Sequence, residues 1–386
     1  MKTDFLVLGA GIAGASAASL LCEIGHVVLL EREATPGYHT TGRSAAFFTV
    51  NYGNKTIRSL TVASRQFFSN PPGDFADHPL MAARGILTVA RADQHSEFLQ
   101  NLGEAKFSSE NISEVGADEA VTLFPTLRRD YVAYAHYEPG LYMDVDQIHG
   151  GYLRQLKVRG GKLVCGANTG SITRVGDVWR VTSSAGVFEA PILINATGAW
   201  ADEVAHLAGV TPIGLEPRRR TVIIFSGPPE VDLDHAPMVI DVNEDFYFKP
   251  EAGKILASPA DETPSPPCDA QPEEIDVAIT VERIEAATTM PINQINHKWA
   301  GLRSFFADRT PVVGFDPSAK GFFWLAGQGG YGIMTSPAMA QAATALATQQ
   351  SWPDNLSRNG VRPEDLSPLR STLKRKKKDQ AERDHI

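Results

Sequence analysis

The run Phe5-Leu6-Val7-Leu8-Gly9-Ala10-Gly11-Ile12-Ala13-Gly14 constrains this chain more than any other stretch. Four consecutive apolar residues suit a parallel strand buried on both faces. Gly9 ends the strand, an Ala-rich stretch to Ile24 reads as a helix stopped at Gly25, and Val27-Val28-Leu29-Leu30-Glu31 reads as a second strand. This order makes a dinucleotide-binding unit. Gly9 permits the turn, Gly11 lets a pyrophosphate approach the backbone, and Gly14 lets helix and strand pack closely, with helix N-terminal N–H groups facing the anion. Glu31 follows Gly14 by 17 residues, at the strand end where an acid accepts hydrogen bonds from an adenosine ribose. The uncharged stretch 5–22 could also be scored as a leader or a membrane span. Its three glycines and the strand directly after it favour the nucleotide unit.

The glycine motif alone does not separate FAD from NAD. The next segment favours FAD, because Pro36-Gly37-Tyr38-His39-Thr40-Thr41-Gly42-Arg43-Ser44-Ala45-Ala46 is a long turn of small residues where a nicotinamide domain would proceed to a crossover helix. Small residues there let a flat ring system lie against the backbone. With 386 residues the chain has room for two domains. A net charge of −9 argues against a general nucleic-acid-binding surface. The basic run Lys374 to Lys378 reads as part of a polar, solvated tail over 371–386. Cys22, Cys165 and Cys268 form no C-x-x-C pair, so neither a metal site nor a disulfide framework is indicated, and a reducing cytoplasm fits.

Further along, Thr56 to Phe68 reads as a helix closed by Asn70-Pro71-Pro72-Gly73, and residues 84 to 142 mix short strands with a helix. A strand pair is expected between Lys162 and Val181, with turns at Gly170 and Gly176. It is followed by the apolar strand Ile192 to Ala196, the turn Thr197-Gly198-Ala199-Trp200 and a helix through Ala208. From Arg218 to Trp299 the pattern suggests mostly antiparallel sheet, with strands Thr221 to Phe225 and Phe246 to Lys249 and a proline-rich loop at 264–267. Phe322 to Ala326, a glycine turn at 327–332 and a helix from Ser336 to Ala347 close the order. The helix N-terminus there could face the electron-rich edge of a flavin.

Taken together, the Gly9–Gly14 motif, Gly42-Arg43-Ser44-Ala45-Ala46, Ala196-Thr197-Gly198, Ala300-Gly301-Leu302-Arg303-Ser304 and Gly327 to Gly332 resemble the D-amino-acid oxidase, glycine oxidase and sarcosine oxidase family. Within it the chain looks most like the bacterial FAD-dependent D-arginine dehydrogenases, from about residue 3 to about residue 370. The resemblance implies a discontinuous Rossmann-type FAD domain over 1–83, 144–210 and 298–370. A substrate domain on a mixed, mostly antiparallel sheet would occupy 84–143 and 211–297. It implies hydride transfer from an amino acid α-carbon to flavin N5, giving an imino acid that water hydrolyses. The FAD contacts it implies are Gly9, Gly11, Ile12, Ala13 and Gly14, Glu31 and Arg32, Arg43, Ser44, Ala45 and Ala46, Thr197 and Gly198, and Gly329, Gly330, Tyr331, Gly332 and Ile333. The substrate carboxylate falls to Arg220 and Arg303, as suits the bidentate geometry of a guanidinium. The amino end falls to the hydroxyls of Tyr52 and Tyr247 and the carbonyl of Gly330.

One departure bears on substrate. Arginine-preferring relatives place a glutamate where this chain has Ile86, and Phe47-Phe48 is also apolar. An unpaired cationic tail against an apolar wall is costly, so neutral or apolar D-amino acids are the expected substrates. The alternatives are oxidation of glycine or N-methyl amino acids, or of 2-hydroxy acids. No cysteine lies near Arg303, so FAD is expected to be noncovalent. Lys249 and Lys254 do not match the lysine that oxidases of the family hold near the flavin, which favours a dehydrogenase passing electrons to a quinone or another acceptor. The expected location is the cytoplasm or the periphery of the inner membrane, with no transmembrane segment and no nucleic-acid partner.

Overall fold

A computed structural model describes residues 1–108 and 111–373, so the basic run from Lys374 lies outside the described residues. The opening unit forms as its pattern predicts, with a strand Phe5–Leu8, a helix Ile12–Leu21 and a strand Val27–Leu30. The helix ends three residues before the expected Ile24, and Cys22 to Gly25 make the turn.

These strands lie at the centre of a six-stranded sheet in the order Val312–Phe315, Phe322–Ala326, Ile192–Asn195, Phe5–Leu8, Val27–Leu30, Lys162–Val164. All neighbours are parallel except the antiparallel edge Val312–Phe315. The continuous apolar runs follow from burial on both faces. Val7, Leu29, Ile194 and Phe323 pack into a layer with the helices Ile12–Leu21, Lys55–Ser69, Val145–Val158 and Gly332–Thr348. Leu6, Leu8, Val28 and Leu193 pack on the opposite side against Ile172, Trp179, Val181 and Phe188.

Those last four belong to a three-stranded antiparallel meander, Thr169–Val175, Val178–Ser183 and Gly186–Ala190. The expected pairing of Lys162 into a hairpin is therefore corrected. Lys162–Val164 pairs in parallel with Val27–Leu30, and Gly170 lies within a strand rather than at a turn, at a register shift.

The second large sheet has nine strands. Its path runs Thr263–Pro264, Glu216–Phe225, Lys254–Ser258, Tyr247–Glu251, Met238–Asp241, Ile86–Ala90, Tyr134–Glu138, Ser113–Val115, and Ile295–Phe305 also pairs with Glu216–Phe225. It is mixed, because Met238–Asp241 runs parallel to Ile86–Ala90. One face buries Ile223, Phe225, Val239, Phe248, Ile255 and Ala257. The other presents Arg220, Val222 and Tyr247 toward the strand ends of the six-stranded sheet.

The helix Glu274–Ala287, expected as sheet, covers the buried face with Val277, Ile284 and Ala287. Its β-branched run Ile275, Val277, Ile279, Thr280 and Val281 reads as strand, yet the helix is fixed by packing and by Arg219, which donates to Asp276. The last long helix starts at Gly332, one turn before the expected Ser336, and Pro337 lies inside it.

His136, on Tyr134–Glu138, is 2% exposed, and its Nε2 meets Asn101 Oδ1 at 2.7 Å. Burial pushes its pKa down to about 4. A depressed histidine pKa means the unfolded chain binds more protons between about pH 6.5 and 4, so this group's stability contribution is complete above pH 6.5 and is lost as pH falls toward 4. Chemical denaturation across that window should lose about 1.4 kcal/mol per pH unit to this group. His136→Gln should flatten that part of the acid limb, and an unchanged slope would contradict the assignment.

Candidate active site

One cavity is lined by residues of both large sheets. At one end it is lined by Gly9, Gly11, Ile12, Ala13, Glu31, Arg32, Thr197 and Gly198, and at the other by Arg220, Val222, Tyr247, Arg303, Gln328, Gly329 and Gly330. The glycine cradle is close-packed. Gly9 has φ +94°, and a Cβ on Gly14 would lie 1.9 Å from the Gly9 carbonyl oxygen. Glu31 is buried and its carboxylate accepts from the N–H groups of Ala10 at 2.8 Å and Glu33 at 3.0 Å. The Ile12 N–H donates to Thr41 Oγ1 at 3.0 Å, tying the helix start to the small-residue turn. These residues fit the diphosphate and ribose of a dinucleotide, with a helix N-terminus and a carboxylate where the anion and the diol require them.

The turn behaves in part as expected. Arg43, Ser44 and Ala45 line the cavity, as do Gly332 and Ile333 at the start of the last long helix. Arg43, however, aims its guanidinium at the Ala270 and Ala300 carbonyls, at 3.0 and 2.9 Å, and at Asp269. It pins the loop carrying Asp269 over the turn, so only its backbone and stem are left to meet a cofactor. Gly14, Ala46, Tyr52 and Tyr331 are not in the lining, and Tyr52 reaches it only through Arg303. Arg32 lies 4.5 Å over the Trp200 ring at the rim. His39, given no role from the sequence, lines the wall between Glu33 and Asp269 and packs on Trp200, 4.7 Å away. None of the three cysteines is in the lining.

At the far end the Arg triplet lies inside the strand Glu216–Phe225, where alternation separates its members. Arg219 turns to Asp276 on the helix-covered face, while Arg220 lines the cavity. The Arg220 Nε–H donates to the Asp261 carbonyl at 2.8 Å, and its guanidinium lies 5.9 Å from the Tyr247 ring centroid. Arg303, on Ile295–Phe305, donates to the Tyr52 hydroxyl at 3.1 Å, and among the described residues no carboxylate pairs with it. Burial opposes its charge, but Tyr52, Tyr247, Glu244 and Tyr331 hold its pKa above the ordinary arginine value. Burial likewise raises the Tyr52 phenol, so it stays protonated. Tyr52 and Tyr331 meet edge to face at 4.9 Å, and the Gly330 backbone packs directly on Arg303.

Ile86 lies further out, between Met238 and Glu138 in the register, and is not part of the lining. It meets Phe47 across Gly140. The Glu138 carboxylate is engaged by Thr49 at 3.1 Å and by Asn51. The apolar surface nearest Arg220 is instead Val222, Tyr247 and Leu256, with Ala45, Ile224, Met238, Ile240 and Trp299 packed on it.

A dinucleotide cradle at the strand ends of a parallel sheet, facing an arginine-bearing wall of a second sheet, defines a flavoprotein oxidoreductase of two interlocked sheets. Residues 4–346 match the family DAO, FAD dependent oxidoreductase, and the chain belongs to that FAD-dependent family. It is 25% identical over 403 residues to FAD-dependent oxidoreductase domain-containing protein 1 of Xenopus laevis, covering 89% of this chain and 79% of the relative. In fold it resembles glycine oxidase of Geobacillus kaustophilus, with a TM-score of 0.81 at 19% identity over 94% of this chain and 98% of that one. It also resembles L-proline dehydrogenase of P. horikoshii, with a TM-score of 0.79 at 21% identity over 94% and 99%.

Proposed function

We propose that the protein is a dehydrogenase of neutral or apolar D-amino acids, converting them to imino acids that hydrolyse to 2-oxo acids. The observation that carries this reading is Arg303, an enclosed guanidinium whose only side-chain hydrogen bond among the described residues is to the Tyr52 phenol. An enclosed charge without a carboxylate partner is costly, and a substrate carboxylate supplies what is missing.

FAD, when bound, supplies the two-electron acceptor. Arg303 and Arg220 orient the carboxylate, and the Tyr52 and Tyr247 hydroxyls with the Gly330 carbonyl receive the amino end. The substrate is thereby fixed with its α-carbon toward the cofactor turn. Positioning of this kind carries much of the barrier reduction and needs no strong acid or base if the amine arrives neutral. The Val222, Tyr247 and Leu256 surface supports an apolar side chain, which would leave water by packing on it. Lys249 supports a dehydrogenase: it is 1% exposed, pairs with Glu251 at 2.6 Å and is turned to the Tyr142 ring rather than into the lining.

Anaerobic mixing of the yellow protein with a panel of amino and hydroxy acids tests the reading. Loss of the flavin band with D-methionine, D-phenylalanine or D-leucine, and not with D-arginine, is the expected outcome. Bleaching only by sarcosine, glycine, a 2-hydroxy acid or D-arginine would overturn the substrate assignment.

A further inference from the structure

Arg220 is shared. Besides the Asp261 carbonyl, its Nη2 lies 3.5 Å from Glu262 Oε1. The same carboxylate is held by Arg309, whose Nη1 donates to Oε1 at 3.1 Å and whose Nη2 contacts Oε2, and by Arg218 Nη1 at 3.3 Å. Three guanidiniums thus converge on one carboxylate, and one of the three lines the cavity. Burial works against the Glu262 charge, but Arg309, Arg220 and Arg218 hold its pKa below the ordinary range, so it is ionised. Arg309 sits at φ +54°, a conformation uncommon for a side-chain-bearing residue, and its guanidinium packs over Phe305 at 4.6 Å. The backbone is held in a strained turn at the point where it presents a guanidinium to Glu262.

We propose that Glu262 is a built-in carboxylate competitor that shares Arg220 with the substrate and sets how tightly the site holds any carboxylate. This rests on the reading of Arg220 as a substrate-carboxylate residue. A ligand carboxylate arriving at Arg220 brings a second negative charge beside Glu262, and that repulsion is strong in a partly enclosed site. A ligand that also satisfies the tyrosine hydroxyls and the Gly330 carbonyl with its amine offsets the repulsion. A simple carboxylate, or a 2-oxo acid product, does not. Glu262 would therefore favour amino acids over plain carboxylates and help the product leave. Arg309 holds the same carboxylate oxygen more closely, at 3.1 Å against 3.5 Å for Arg220, and so competes with Arg220 for it.

The two roles open to Glu262 predict opposite results. The dissociation constant of propionate from the oxidised holoenzyme, read from the flavin difference spectrum, is measured for the native protein, E262Q, R309Q and R220Q. A competitor predicts that propionate binds E262Q about tenfold more tightly and binds R309Q more weakly. It also predicts that KM for a D-amino acid falls in E262Q with kcat maintained or lowered by slower product release. A purely positioning role predicts weaker binding in both variants, and that result, or unchanged binding in E262Q, would overturn the proposal. Weaker binding in R220Q upholds the reading of Arg220 whatever E262Q does. Native-like binding in R220Q, or no saturable change in any form, removes that reading and the proposal with it.

Discussion

Replacing Arg303 by methionine is expected to lower kcat/KM for a D-amino acid about a thousandfold, since losing a buried charged partner costs about 3–5 kcal/mol. The same change should leave the melting temperature unchanged or raise it. The two expectations have one cause. Among the described residues Arg303 has the Tyr52 phenol as its only side-chain hydrogen-bond partner and no paired carboxylate, so replacing it removes the substrate's partner without breaking an ion pair of the fold. A purely structural arginine would behave oppositely, with lower melting temperature and nearly native turnover. Steady-state kinetics and thermal denaturation on the same preparation separate the cases.

Gly14→Ala is expected to produce protein with little or no FAD. The added methyl would lie 1.9 Å from the Gly9 carbonyl oxygen and 3.1 Å from its carbon, both fixed backbone atoms, so the helix Ile12–Leu21 must move away from Phe5–Leu8. That movement opens the turn on which Glu31 holds the Ala10 N–H. The ratio of flavin to protein absorbance after purification reports the loss. Gly103→Ala is the control, because nothing lies within 4 Å of a Cβ there. A Gly14→Ala protein carrying a full complement of FAD would contradict the role given to the cradle.

The parts legible in the sequence are those whose chemistry is local. Gly9, Gly11 and Gly14 announce a turn and a close approach through their spacing alone, and the both-sides-buried strands announce themselves by unbroken apolar runs. Arg303 and Arg220 were legible through a resemblance of motifs and not through charge pattern, since Arg220 sits in a triplet that reads equally as a solvated run. The strand Glu216–Phe225 resolves the triplet by alternation, sending Arg219 to Asp276 and Arg220 to the cavity.

What was not legible depends on long-range packing. Glu274–Ala287 has β-branched residues that favour a strand, and the sheet face it covers decides for a helix. Lys162–Val164 joins a sheet whose other strands come from residues 5–30 and 192–326, which no local pattern records. Glu262 reaches Arg220 only because the loop after Lys254–Ser258 folds back on the strand Glu216–Phe225. Arg43 lines the cavity, and its guanidinium also fastens the loop at Asp269 and Ala270, a contact between segments 226 and 227 residues apart that no local pattern records.

We propose that the α-carbon–hydrogen bond of a D-amino acid is broken at the site framed by Arg220, Arg303, Tyr52 and Tyr247. The most direct measurement is the anaerobic rate of flavin bleaching by D-methionine carrying hydrogen or deuterium at the α-carbon, with L-methionine alongside. Bleaching by the D-enantiomer alone, slowed several-fold by deuterium, is the expected result. Bleaching by the L-enantiomer instead, or no bleaching by either while the FAD remains bound, would contradict it.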